Sequence, residues 1–311
     1  MKNVTIFMEP DWAFGSIHYE LIKYLWGYGF NCNLLPWNRS YTYEEVQSLD
    51  KHNDLWLTNN HGYRFLKGSY NIDPQKCVVV AHAKLDIDEL IHYNGIDEFN
   101  NFKNYAVVSE FLKQYSESVG ITRIPLVCNL GINYNSYKNT PNSCLKTIGY
   151  AGAYHDRDSL LDQPEDSWVV QLKHLKRGYL VKECAELAGL EFKVAQHCHN
   201  SFVTMGGFYK SVDCIVSASI NEGAGLPILE GGAAGKLIIS TPVGHWNELV
   251  TDSGGIAVPI PDDEFIEKTV EILTFYKNNP TEYYNRCIQI KEYSKKYDWS
   301  NVIDKWINIL Q

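Results

Sequence analysis

The chain has 311 residues, with 28 Lys and Arg against 37 Asp and Glu and 45% hydrophobic content. That length exceeds what one hydrophobic core usually fills, so two domains are expected, and 13% aromatic residues exclude a disordered chain. The net charge of −9 is spread over both halves and argues against a nucleic-acid partner, whose phosphates demand clustered Lys and Arg.

Residues 4–8 read as a strand, followed by a helix with Ile17, Leu21, Tyr24 and Leu25 on its apolar face. Between them, Asp11-Trp-Ala-Phe-Gly15-Ser16-Ile17 is expected to form a loop. Its single glycine does not fit Gly-x-Gly-x-x-Gly, which argues against a nicotinamide or flavin enzyme. Further strands are predicted at 31–35, 54–57, 77–81, 105–109 and 125–128. Their alternation with helical patterns predicts βαβ units and a parallel sheet. The polar stretch 135–143 then reads as an interdomain linker.

After it, strands are predicted at 146–151, 191–195, 213–217 and 237–240, with a helix presenting Leu180, Val181, Cys184, Leu187 and Ala188 on one face. Residues 264–276 are helical, and a closing helix begins at Ser300 as N-cap, burying Val302, Ile303, Trp306, Ile307 and Leu310. The expected fold class is α/β, with two doubly wound Rossmann-like domains facing across a cleft. The first spans 1–138 and the second 143–290, with 291–311 as a last helix packing back on the first domain. Such domains bind ligands at the carboxyl ends of their strands.

Eight cysteines without a Cys-x-x-Cys, several inside strand-like runs, suit a reducing compartment, and a cytoplasmic location is expected. No run reaches the ~18–20 apolar residues of a membrane span, and Glu9 and Asp11 interrupt any signal-peptide pattern. His197-Cys198-His199 reads as a polar loop, because adjacent residues of an extended segment point to opposite sides. Asp86-Ile-Asp88 reads as the acidic opening turn of a helix, and Asp156-Arg-Asp158 as part of a polar insertion over 155–168. No metal is expected. Trp12, Trp26, Trp37 and Trp56 read as core.

The most informative stretch covers 217–240. A strand ends near Ser217, a glycine-bearing loop follows, and Pro227 suits the first turn of a helix. Backbone at Gly223, Ala224 and Gly225 can approach a ligand closely, and its N–H groups with the helix N-terminus favour a diphosphate. Glu222 lies before the helix and Glu230 one turn inside it. Two such carboxylates can accept from hydroxyls of one elongated ligand. The same placement also suits acidic residues complementing a helix dipole, and the residues alone leave both readings open. Lys173, Lys176 and Arg177 likewise read as a solvated helix start.

The stretch resembles the Glu-x7-Glu signature of retaining GT-B glycosyltransferases, particularly glycosyltransferase family 4. Residues 241–250, 252–258, 106–112, 127–133 and 297–300 are similar to other segments of that family, so the resemblance covers most of 100–311. It implies transfer of a hexose-type sugar from a UDP- or GDP-sugar donor to a hydroxyl acceptor, glycan, lipid-linked or other, with no metal or other cofactor. It further implies that Glu222 holds donor-sugar hydroxyls and that Gly223, Ala224, Gly225 and Leu226 supply N–H groups to the diphosphate. Glu230 would bind the ribose.

In Lys176-Arg177-Gly178, Arg177 stands in register with one member of the family's phosphate-binding basic pair. The other member normally follows the glycine after the strand, but Gly152 is followed by Ala153, so Arg157 or a lysine would substitute. His82 matches a cleft histidine near the reacting carbons, although a lone His at a strand end is more often structural. Gly15 matches a loop near the phosphates. The alternatives are a GT-B epimerase or phosphorylase, or a non-catalytic sugar-nucleotide-binding subunit. A DNA base as acceptor is disfavoured by the acidic balance.

Overall fold

A computed structural model of the chain describes residues 1–10, 12–195, 202–245 and 254–311; the side chains of 12–14 and 202–204 lie outside that description. The chain divides into two compact units, Met1–Gly131 with Tyr297–Gln311, and Ile132–Lys296.

The first unit runs β1 (Lys2–Met8), α1 (Trp12–Trp26), β2 (Phe30–Pro36), α2 (Tyr43–Asp50), β3 (Leu55–Thr58), α3 (Asn60–Gly68), β4 (Cys77–Ala81), α4 (Lys84–Asn94), β5 (Asn104–Val107), α5 (Glu110–Ser118) and β6 (Leu126–Val127). Its six strands pair in parallel in the order β2-β1-β3-β4-β5-β6. A strand covered on both faces reads as an unbroken apolar run. Cys77-Val-Val-Val-Ala is that case, buried along its whole length at a central position, while edge strand β2 is mostly half-exposed.

The second unit runs α6 (Tyr134–Tyr137), β7 (Thr147–Tyr150), α7 (Trp168–Lys176), α8 (Gly178–Leu187), β8 (Glu191–Val194), α9 (Phe202–Lys210), β9 (Cys214–Ser217), α10 (Leu226–Ala233), β10 (Leu237–Ser240), β11 (Ile256–Ala257), α11 (Asp262–Asn278) and α12 (Pro280–Ser294). Its parallel sheet has the order β11-β10-β9-β7-β8. One core cluster packs Ile148, Val216 and Ile239 with Leu180, Val181 and Cys184 of α8 and with Phe265 and Leu273 of α11.

The last helix, α13 (Trp299–Leu310), belongs to the first unit and buries Val302, Ile303, Trp306, Ile309 and Leu310. Its Trp306 Nε1 donates to the Asn129 carbonyl at 2.9 Å. The cap is Asp298, which accepts from the Ser300 N–H, so the helix begins one residue before the expected Ser300 cap. Register places Ile309 in the core and leaves Ile307 half-exposed.

Other expectations are also corrected. The stretch read as a linker starts in a helical turn: Tyr134 and Tyr137 of α6 are buried. Leu187 is exposed at the end of α8. Lys173, Lys176 and Arg177 close α7, and Lys173 is buried with its ammonium on the carbonyls of Arg157 and Ser159. Of the tryptophans expected in the core, Trp56 is buried, Trp26 is exposed, and Trp37 is half-buried with Nε1 on Glu9. Among the described residues, no helix is long and apolar enough to cross a membrane.

Gly131 lies against the Trp299 indole so closely that a Cβ there would overlap the ring. Gly131→Ala is therefore expected to cost about 1–3 kcal/mol of stability through overpacking. A lower urea midpoint would show it. An unchanged midpoint would contradict this packing of α13.

Candidate active site

β9 ends at Ser217, and the chain crosses to α10 through residues 218–225. Gly225 has φ 77°, a left-handed conformation that favours glycine, and it turns the backbone into α10 with Pro227 in the first turn. The loop is tied at several points. The Ile220 N–H donates to the Leu175 carbonyl at 3.0 Å, and the His245 N–H to the Ala224 carbonyl at 3.1 Å. Thr241 Oγ1 donates to the Ser219 carbonyl. These bonds hold Gly223, Ala224, Gly225 and Leu226 in one fixed course at the N-terminus of α10.

Glu222 sits on that loop. Its Oε1 accepts from the Lys176 ammonium and from Ser219 Oγ at 2.7 Å, while Oε2 has no partner among the described residues. The Lys176 and Glu222 side chains are 26% and 19% exposed, so both reach solvent. The loop thus presents a fixed cation, an acceptor oxygen open to a hydroxyl, and a helix N-terminus. A diphosphate attached to a sugar needs these three groups.

Arg177, expected at the diphosphate, has its Nη2 buried without a hydrogen-bond partner among the described residues, and its other nitrogens are engaged. It joins α7 to α8 with φ 48° and is buried. Nε donates to the Ala218 carbonyl at 2.7 Å, and Nη1 to the Ile260 carbonyl at 2.5 Å and to Asp262 Oδ1 at 2.6 Å. The guanidinium lies 5.7 Å from the centre of the Phe265 ring. Arg177 therefore anchors the root of the loop to the start of α11, and its neighbour Lys176 is the cation at Glu222. Arg157, the expected substitute for the missing basic residue after Gly152, bonds Glu183 at 2.6 Å.

Glu230 is one turn into α10 and buried. Oε1 accepts from the Tyr137 hydroxyl at 2.9 Å and Oε2 from the Tyr209 hydroxyl at 2.7 Å. Burial pushes its carboxyl up to about 7, although the two hydroxyls favour the ionised form. Instead of standing open to a ribose, this carboxylate joins α6, α9 and α10.

His82 and Gly15 belong to the first unit. His82 follows β4, and its ring centroid lies 6.3 Å from that of His18. Burial, with the nearby His18, lowers its pKa to about 3, so the imidazole is neutral at physiological pH. The turn that carries it is fixed by Asp86, whose Oδ2 accepts the N–H groups of His82 and Ala83 at 2.7 and 3.0 Å. Gly15 is not in a loop: it lies in the first turn of α1, where a Cβ would overlap the Pro10 carbonyl. Asp11 and His197-Cys198-His199 lie outside the described residues. Asp156 bonds Tyr154 and Lys182, and no group of three or more His, Cys, Asp and Glu among the described residues is placed to hold a metal ion.

The structure brings together Glu222, Lys176 and the glycine loop, which the sequence singled out, with Ser219, Tyr137, Tyr209 and Asp262, which it did not. Each of these marks its role only through contacts distant in sequence, except Ser219, whose spacing of three from Glu222 could have suggested a loop bond.

The raised pKa of Glu230 fixes a pH effect. The folded state keeps a proton that the unfolded chain releases near 4.5, so this contribution is full below 4.5 and is lost as pH rises through about 7. Glu230→Gln lacks the titration. Relative to wild type, it should gain up to roughly 3 kcal/mol of stability between about pH 5 and pH 8, measured by denaturant titration. A pH-independent difference would refute the shift.

Comparison with known proteins adds independent findings. Residues 177–274 match the family model described as "Glycosyl transferases group 1". A search of curated proteins returns no match. Among solved structures, HepE from Anabaena in complex with UDP-glucose is similar at TM-score 0.70 and 11% identity, covering 100% of this chain and 99% of that one. The catalytic domain of starch synthase IV from Arabidopsis thaliana, bound to ADP and acarbose, aligns at TM-score 0.70 and 10% identity over 100% and 98%. A TarM variant from S. aureus aligns at TM-score 0.64 and 15% identity, covering 86% of this chain. This chain spans less than two thirds of the TarM chain, 58%. The two Rossmann-like parallel sheets and these neighbours identify the fold as GT-B, and the segment matched to the glycosyl transferase model contains the Glu222 loop.

Proposed function

We propose that the protein is a retaining glycosyltransferase moving a hexose-type sugar from a UDP- or GDP-sugar to a hydroxyl acceptor, without a metal. The observation that carries this reading is Glu222, with one oxygen held by Lys176 and Ser219 and the other open, on a glycine loop at the N-terminus of α10. The nucleotide ligands of the similar structures, UDP-glucose in HepE and ADP in starch synthase IV, support the donor class. The retaining course rests on the resemblance of the Glu-x7-Glu segment alone.

In this reading the open Glu222 oxygen accepts from donor-sugar hydroxyls and orients the anomeric carbon. As the bond from that carbon to the diphosphate breaks, negative charge grows on the leaving oxygens. The Lys176 ammonium, the N–H groups of Gly223 to Leu226 and the α10 N-terminus stabilise it, with no metal in the scheme. Lys176 faces Glu222, and Arg177 holds the loop root through Nε with its Nη2 still without a partner among the described residues. A ribose would reach Glu230 by replacing the hydroxyl of Tyr137 or Tyr209, one O–H donor for another. His82, neutral, offers a hydrogen bond to a sugar hydroxyl without adding charge.

The test begins with thermal shifts in UDP-glucose, UDP-N-acetylglucosamine and GDP-mannose, followed by nucleotide release with the best donor and a panel of hydroxyl acceptors. Glu222→Ala should lower turnover by about 100-fold or more with the fold intact, and Lys176→Ala should weaken donor binding by about tenfold. NMR of the product anomer reads the stereochemistry. Full turnover in Glu222→Ala would overturn the site, and donor binding without turnover in wild type would favour a binding subunit.

A further inference from the structure

Within the first unit, α3 and α4 border a groove of about 540 Å³ whose walls include His61, Arg64, Phe65, Lys67, Asn71 and Tyr93. That volume lies in the ~300–1,000 Å³ range of small-molecule sites. None of its residues belongs to the Glu222 loop, and the donor chemistry above makes no use of it.

Three features define what fits there. The first is a pair of exposed aromatic rings in fixed positions. Phe65 and Tyr93 are 45% and 60% exposed. The Arg64 guanidinium carbon lies 3.6 Å over the centre of the Tyr93 ring. The His61 ring packs edge-on against Phe65 at 5.2 Å and against Trp37 at 5.1 Å. These stacked contacts hold the rings while leaving surface for a ligand's C–H face.

The second is charge balance. Arg64 and His61 both face Glu89 Oε2, at 3.7 and 3.5 Å, and the Lys67 ammonium is 2.6 Å from Glu98 Oε1. The two fixed cations, Arg64 and Lys67, each already have a carboxylate, so their charges are balanced and the groove offers N–H donors. A phosphate or sulfate would have to compete with those carboxylates, whereas an uncharged ligand would not.

The third is uncommitted polar capacity. The side chains of Ser69, Asn71 and Asn94, all on the groove wall, make no hydrogen bond among the described residues. Asn71 is held at the end of α3 with φ 51° by its N–H on the Lys67 carbonyl at 3.2 Å, followed by the Ile72 N–H on the Leu66 carbonyl at 2.9 Å. Each amide presents both donors and an acceptor, the combination that matches a hydroxyl.

Apolar ring faces, balanced charge and free amides together describe a site for an uncharged polyol. We infer that the α3–α4 groove binds a neutral oligosaccharide, at a site separate from the Glu222 loop. This goes beyond the transfer reaction and does not depend on it.

The test is calorimetric titration of the full chain with maltotetraose, cellotetraose and chitotetraose. Inorganic phosphate and a sulfated disaccharide serve as charged probes. At least one neutral tetrasaccharide should bind saturably, and Phe65→Ala and Tyr93→Ala should each weaken it about tenfold or more. Tyr93→Phe, which keeps the ring, should retain binding and controls for folding together with unchanged melting curves. Glu222→Ala should bind the oligosaccharide as wild type does, and the groove variants should bind UDP-glucose as wild type does, which separates this inference from the donor reading. No binding of any neutral tetrasaccharide, binding that survives both ring deletions, or binding of the charged probes alone would overturn it.

Discussion

The Arg177 guanidinium is the interaction on which the second unit's loop architecture rests. Three elements meet at it: the α7–α8 junction that carries it, the Ala218 carbonyl at the root of the glycine loop, and the Ile260–Asp262 start of α11. A planar fork satisfies several acceptors at fixed angles, which an ammonium cannot do. Arg177 commits Nε and Nη1 to this joint and keeps Nη2 without a partner among the described residues, while Lys176, one residue earlier, faces Glu222. Two adjacent cations thus have different partners, one the backbone and Asp262 at the loop root, the other the partly exposed Glu222.

The same division separates the two carboxylates of the Glu-x7-Glu segment. Glu222 shares one oxygen with Lys176 and Ser219 in a partly buried ion pair that keeps some solvent contact. Glu230 is buried between two tyrosine hydroxyls, and its raised pKa measures how strongly burial penalises its charge. Spacing in the sequence cannot distinguish these cases. They differ in what surrounds each residue, and those neighbours come from α6, α7 and α9.

Much of the fold was legible because parallel strands covered on both faces are apolar throughout. The run 77–81 was read with its ends correct, and so was 237–240. Boundaries drifted where capping decides them, as at Asp298, whose side chain captures the Ser300 N–H. Polar composition misled at the start of 135–143, because Tyr137 buries its ring and bonds Glu230 through its hydroxyl in a stretch that reads as loop. The glycine loop was legible because local chain carries it, in Glu222 to Leu226. The bonds that Arg177 makes with Ala218, Ile260 and Asp262 were not, because they join residues distant in sequence.

The net charge of −9 takes on a different meaning in this light. Several carboxylates are consumed inside the fold as staples for turns at the strand ends. Asp86 holds the N–H groups after β4, and Asp213 accepts those of Lys146 and Thr147 ahead of β7. Asp262 takes Arg177, and Glu98 takes Lys67, Tyr63 and Asn101. A carboxylate used this way projects little field into solvent, because its donors surround it. The global excess of acid therefore says little about what an individual site binds. Local arrangement decides instead: one ammonium beside Glu222 near the α10 N-terminus, and Arg64 and Lys67 each paired with a carboxylate between α3 and α4.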